Sequence, residues 1–258
     1  MLDKYEEYYT LDEPVPYKNI FLYPIKVNEY DTFYKCAQVL TLEKNSIADI
    51  NIISMSYLGY IYYLHEEIRG ENKLDYLILL EILLRICIHD KESKRKIIFG
   101  CNNSGKPVFE IDSIPFTETD FEEIRDIICN QNLIIRPDER MQKDVRDKIE
   151  EVRRYKEKIS GNKPASFEDN ILSLVASSSM SLEEVYNMPI RKFIKLLRRI
   201  DAKLHYEIYL GAAMSGMVEF KDKSILRHWM SDLEKENKYD DVMLDLDTMT
   251  EEHNLSTK

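Results

Sequence analysis

The spacing of apolar side chains predicts a chain built mainly from helices. Tyr30, Phe33, Tyr34, Ala37, Leu40 and Thr41 fall near one helical face, which predicts a helix over 28–42. Residues 52–69 read as a second apolar helix. Residues 71–89 are apolar on most sides, the pattern of a buried core helix. The period then drops to two. Lys96-Ile97-Ile98-Phe99 and Val108-Phe109-Glu110-Ile111 flank the stretch Gly100 to Pro107, predicting a β-hairpin near 96–111. Ahead of all these, Ile20 to Val27 is rich in β-branched and aromatic residues. It reads as a strand that Pro24 confines to a sheet edge or splits into two short pieces. Thr119 to Glu122 has the spacing of a capping box opening a helix through Cys129, and Leu133-Ile134-Ile135 reads as a short returning strand.

A different pattern follows Arg136-Pro137-Asp138. In residues 139–159, Met141, Val145, Ile149, Val152, Tyr155 and Ile159 recur at steps of three and four, a narrow apolar stripe on a charged helix. Ser160-Gly161-Asn162-Lys163-Pro164 is the best linker signal in the chain. Three helical segments come next. One spans about 167–177, and a second opens on the capping box Ser181-Leu182-Glu183-Glu184. The third has Pro189 near its first turn and runs to about Gly211 or beyond. The pattern divides the chain into an N-terminal α+β domain (1–135), a charged connecting helix and linker (136–163), a helical C-terminal domain (164–230) and an acidic tail (231–258) expected to be partly disordered. The fold class expected is mainly α with a small β-hairpin, α+β overall.

Composition narrows the function. Only 7 glycines and 8 prolines in 258 residues suit long helices better than a turn-rich sandwich. Many of the 17 tyrosines sit in the first 76 residues, where an apolar ring with a wet hydroxyl suits an interface as well as a core rim. A net charge of -11 repels phosphate backbones and argues against nucleic acid as the main partner. The tail contributes strongly, with 9 acidic residues against 3 lysines. Cys36, Cys87, Cys101 and Cys129 form no Cys-x-x-Cys pair and have no histidine at ligand spacing, so they read as reduced thiols of a cytosolic protein. No signal-peptide pattern opens the chain, and the longest apolar run, around Tyr76 to Leu84, is too short to span a bilayer.

Candidate chemistry is sparse. Gly100-Cys101-Asn102-Asn103-Ser104-Gly105-Lys106 matches the first seven positions of a phosphate-binding loop, but Pro107 stands where the magnesium-binding hydroxyl belongs and a strand pattern follows where a helix is needed. His65, His89, His205, His228 and His253 include no pair at the i, i+4 spacing of a helical zinc site, and no Gly-x-Ser-x-Gly elbow exists. Neither catalytic nor metal or cofactor residues are therefore assigned, and no enzyme activity is expected. One basic stripe stands out: Arg191, Lys195, Arg198 and Arg199, with Lys192 and Lys203 beside them. It supports an alternative reading, a nucleic-acid-binding or regulatory module using the helix 191–203.

Residues 172–230 carry a resemblance. Leu172-Ser173-Leu174-Val175-Ala176 leads to Met180-Ser181-Leu182-Glu183-Glu184-Val185-Tyr186-Asn187-Met188-Pro189, then Phe193 to Ile200, Ala213 to Val218, and Ile225-Leu226-Arg227-His228-Trp229-Met230. This succession resembles tail-assembly and baseplate-assembly accessory proteins of bacteriophages that infect Gram-positive bacteria, and Phe21 to Val27 is similar to openings found in such cassettes. The resemblance implies a non-enzymatic morphogenesis protein, a chaperone or structural component, working in the host cytoplasm and retained or not in the virion. It implies other tail or baseplate proteins as partners, with self-association left open and no membrane. Carried onto this chain, it gives Leu182, Val185, Met188, Phe193, Leu196 and Leu197 as packing or partner-contact positions. The adaptable methionines of the C-terminal third add Met217, and Trp229 is a candidate exposed anchor.

Overall fold

The computed structural model describes residues 4–44, 49–68, 75–90, 92–138, 143–160, 165–216, 218, 220 and 226–233. Its contacts divide the chain into two units, Met1–Arg140 with Asp169–Leu197, and Met141–Glu168 with Arg198–Lys258. The architecture is mainly helical α+β, as the periodicities predict.

In the first unit a short helix α1 (Glu6–Leu11) leads into β1 (Val15–Tyr17) and β2 (Ile20–Leu22), an antiparallel pair with Val15 opposite Leu22. Pro24 falls beyond β2, so the predicted strand is cut short where its ladder donor would be missing. The helix predicted over 28–42 is α2 (Tyr30–Ala37), bounded on both sides by a single 3-10 turn. Next come α3 (Ile50–Ser54), α4 (Tyr57–Ile68) and α5 (Tyr76–Cys87). Asp75 starts α5, its carboxylate accepting from the Leu77 amide at 2.9 Å. As its all-round apolar pattern requires, α5 buries Leu79, Leu80, Leu83, Leu84 and Cys87.

The predicted hairpin is present as β3 (Ile97–Cys101) and β4 (Pro107–Ile111), and a third strand, β5 (Ile114–Phe116), extends it in the order β3-β4-β5. The sequence pattern misses β5 because its turn, Asp112-Ser113, contains no glycine. Both residues nevertheless take positive φ, 54° and 65°, the signature of the two-residue turn that matches strand twist. The Asp112 carboxylate accepts from the Lys96 amide at 3.1 Å and supports the turn. Helix α6 (Glu118–Asn132) follows β5 at once. Its cap is therefore Thr117, two residues before the predicted Thr119. Thr117 and Asp120 exchange hydrogen bonds in a capping box, because β5 claims Phe116 and leaves one residue for the cap.

Leu133-Ile134-Ile135 is not a strand. Leu133 turns left-handed (φ 54°) and the Ile134 amide closes on the Cys129 carbonyl at 2.9 Å, so the run ends α6. The need to satisfy the last helical carbonyls overrides the β preference of two isoleucines.

The core of this unit lies between one face of the three-stranded sheet and helices α4, α5 and α6. Phe109 stacks on Phe116 at 5.0 Å and meets Phe121 edge-on at 6.2 Å. Gly59 on α4 allows a close approach here, since a Cβ would stand 2.9 Å from the Ser56 hydroxyl oxygen. Arg125 is buried inside this core, its guanidinium 3.3 Å from the centre of the Tyr57 ring and its Nε donating to the Leu40 carbonyl at 2.9 Å.

A polar cluster holds the N-terminal segment on α6. The Tyr5 hydroxyl donates to Glu123 at 2.6 Å, that of Tyr17 to Asp120 at 3.0 Å, and Lys18 pairs with Asp120 at 2.7 Å. Burial works against the Asp120 charge, but Lys18, Thr117 and Tyr17 outweigh it and bring its pKa to about 2. Tyr5 and Lys4 lower that of Glu123. Depressed carboxylates mean that the unfolded chain takes up protons first as pH falls. The urea midpoint is therefore expected to hold above about pH 5 and to fall between about pH 4, the ordinary aspartate range, and pH 2. Asp120→Asn should flatten part of that fall in a pH series of urea melts.

Three further helices open as predicted: α8 (Phe167–Ser177), α9 (Leu182–Asn187) and α10 (Ile190–Met214). Ser181 caps α9 with Glu184 as its reciprocal partner, and Pro189 stands just before α10. Contacts place α9, most of α8 and the first two turns of α10 in the first unit, so the segment expected as one domain, 164–230, is divided after Leu197.

The second unit includes α7 (Lys143–Ser160) and the remainder of α10. None of its described residues is buried. Of the stripe predicted on α7, Val145, Val152 and Tyr155 are 46%, 39% and 64% exposed and Ile149 is half-buried, while Met141 lies outside the described residues. The linker residues 161–164 and nearly all of the acidic tail, 234–258, lie outside the described residues.

Candidate functional site: an apolar groove

Two sequence segments far apart meet in the first unit. The extended residues after β2 run between the end of α6 and the turn before α10. The Ile25 amide donates to the Asn132 side chain at 3.0 Å, and its carbonyl accepts from the Ile190 amide at 2.8 Å. The Val27 amide donates to the Met188 carbonyl at 2.9 Å, and Lys26 forms a β-bridge with Pro189. Gln131 donates to the Leu22 carbonyl at 3.1 Å. Nearly every backbone group of the segment thus has a fixed partner, and this junction sets the positions of α2, α6 and α10.

Beside the junction these three helices leave an open cavity of about 650 Å³. Phe33 of α2 and Ile190 of α10 are buried at its base. Tyr30 and Tyr34 stack along α2 at 5.4 Å, Ile194 continues the α10 wall, and Ile134 and Ile135 supply the opposite side. Tyr34 is 65% and Ile135 72% exposed, an unusual amount of water contact for large apolar groups lining one groove. Burial, and secondarily Tyr34, push the Tyr30 phenol above its ordinary pKa, so it stays neutral at physiological pH. Lys35, paired with Asp31 at 2.7 Å, stands at the rim with Gln38 and Thr41, while Asn132 is buried and engaged by the junction. Such a lining suits an apolar side chain or helix face, with a few polar groups to orient it.

The candidate residues from the sequence fall in both units. Val185, Met188 and Phe193 are packing positions, buried in the first unit's core, and so offer nothing to a partner. Leu182 is 43% exposed, and Leu196 and Leu197 are half-buried. Trp229 belongs to the second unit, half-buried and stacked against His228 at 5.9 Å, with its carbonyl held by Arg199 at 2.7 Å. Met217 lies outside the described residues. The groove residues were legible only as separate patterns: Tyr30, Phe33 and Tyr34 as a helical face, Ile134 and Ile135 as a strand. The usable signal was an apolar run, Leu133 to Ile135, placed directly after a polar helix end.

The basic stripe on α10 is mostly spent internally. Arg191 donates to the Asn130 carbonyl at 2.6 Å, pairs with Glu6 at 3.0 Å and lies over the Tyr9 ring. Lys192 pairs with Asp12, Arg199 holds two backbone carbonyls, and Lys203 pairs with Glu207. The phosphate-loop look-alike is a hairpin loop whose amides are also occupied: the Asn102 side chain accepts from Ser104 and Lys106, and Gly105 supplies the positive φ of 73°.

Residues 156–234 match the profile of the YomV second domain, a phage-associated family whose namesake is a phage-encoded protein of Bacillus. The match covers less than a third of the chain and includes Ile190 and Ile194 of the groove. No curated protein and no solved structure shows a significant match to the chain. Among the described residues no helix is long and apolar enough to cross a membrane.

Proposed function

We propose that this chain is a phage morphogenesis protein, without enzymatic activity, that binds a tail or baseplate protein through the groove between α2, α6 and α10. The observation that carries the reading is the groove itself: large apolar side chains held open by a junction whose backbone hydrogen bonds leave it little freedom to collapse. The match to a phage-associated domain supports the phage setting. The internal pairing of most α10 cations weighs against nucleic acid as the ligand.

Co-expression with a phage tail gene cassette followed by size-exclusion chromatography tests the proposal. A tail protein should co-elute with the native chain. Tyr34→Asp and Ile135→Asp, at exposed positions, should leave the melting temperature unchanged and weaken co-elution at least about tenfold, the effect of losing about 1.4 kcal/mol. If no tail protein co-elutes, or both variants bind as the native chain does, the groove is not the docking site.

A further inference from the structure

The three-stranded sheet has two edges of different character. The β5 edge carries Pro115 in its centre and runs directly into α6, two ordinary ways of blunting an edge. The β3 edge has neither. It is five residues long, contains no proline and no charged side chain, and Ile98 is 43% exposed. Its hydrogen-bond phase follows from the bonds just outside it. The Asp112 amide donates to the Lys96 carbonyl and the Asn102 amide to the Lys106 carbonyl, both at 2.9 Å. The antiparallel alternation then turns the backbone groups of Ile98 and Gly100 toward β4, and those of Ile97, Phe99 and Cys101 outward. Among the described residues no strand pairs with that outer side.

The geometry points to a second copy of this chain as the occupant of the edge: two β3 strands pair antiparallel about a two-fold axis at Phe99, joining the sheets of two protomers. Identical edges in this arrangement are self-complementary, because each outward amide of Ile97, Phe99 and Cys101 meets a carbonyl of the other copy. Side chains fit the same register. Phe99 faces Phe99 of the second copy, an aromatic cross-strand pair. Ile98 faces Gly100 of the second copy, where a Cβ would meet nothing within 4 Å, so the exposed isoleucine enters open space. Charge favours the same orientation. Lys94, Arg95 and Lys96 come against the neutral Asn102-Asn103-Ser104, whereas a parallel pair would set the cations side by side. This surface shares no residue with the groove, so the inference stands apart from the binding proposal.

Light scattering across a concentration series, with a cross-link, tests it on the full chain. The native protein should be dimeric. In the predicted register position 97 faces Cys101 of the second copy with Cα atoms about 5.5 Å apart, within the span of a disulfide. Ile97→Cys should therefore give a covalent dimer on a non-reducing gel after mild oxidation. The native chain should give none, because its two Cys101 residues would be offset along the strands by about 13 Å. The other thiols, Cys36, Cys87 and Cys129, are buried. Cys101→Pro removes an amide that points outward and should shift the protein to monomer while keeping its melting transition. A native chain that stays monomeric at every concentration overturns the inference. So does a dimer that Ile97→Cys fails to trap and Cys101→Pro fails to weaken.

Discussion

Arg125→Met is expected to destabilise the first unit by about 2–5 kcal/mol, the combined loss of a buried hydrogen bond and a cation–ring contact. The guanidinium sits 3% exposed between the Tyr57 ring and the Leu40 carbonyl, with Glu122 at 3.4 Å on its outer side. Methionine restores much of the volume and none of the donors. The Leu40 carbonyl then loses its bond in a dry site, which alone costs about 1–3 kcal/mol, and the cation–ring contact goes with it, worth up to about 2 kcal/mol when desolvated. Arg125→Lys should rescue little, since an ammonium cannot stack on the ring and reach the carbonyl in the same plane. Urea denaturation of the three proteins measures this. A loss under about 1 kcal/mol for Arg125→Met would mean that the arginine merely fills space.

The second large effect concerns chain length. A protein ending at Arg140 keeps β1 to β5 and helices α1 to α6, yet should show no cooperative unfolding transition. It lacks Val185, Met188, Ile190 and Phe193, all buried against the first unit's interior. Each is worth about 1.5–3 kcal/mol on burial, and together they rival the usual stability of a whole domain, about 5–15 kcal/mol. Their removal also strips partners from the Val27 amide and the Ile25 carbonyl. A protein ending at Leu197 should regain a sharp transition. Calorimetry of the two shortened chains separates the outcomes, and an intact cooperative melt for the shorter one would show that the junction adds little.

That same junction marks where sequence reading stops. Several helices were legible from a periodicity or a cap of their own: the apolar surround of α5, the stripe of α7, and Ser181 with Glu184 on α9. The hairpin was legible from its period of two. The failures were local contests between two plausible signals. Thr117 and Thr119 both offer a capping box, and the position of β5 decides between them. Ile134 and Ile135 favour a strand, and the end of α6 claims them. The groove was invisible for a different reason. Its walls come from three segments more than 50 residues apart, α2, the end of α6 and α10, and no local pattern reports that they will meet. Burial likewise separated the candidate contact residues: α9 and early α10 carry an apolar face, and only the rest of the molecule determines that Val185 and Phe193 face inward.

The second unit carries a thermodynamic consequence. The heat-capacity change of unfolding arises from apolar surface newly brought into contact with water. A region in which no described side chain is fully buried has less such surface to release. The described part of this unit, α7 included, should therefore add a shallower temperature dependence than the first unit, to which most of the calorimetric peak should belong.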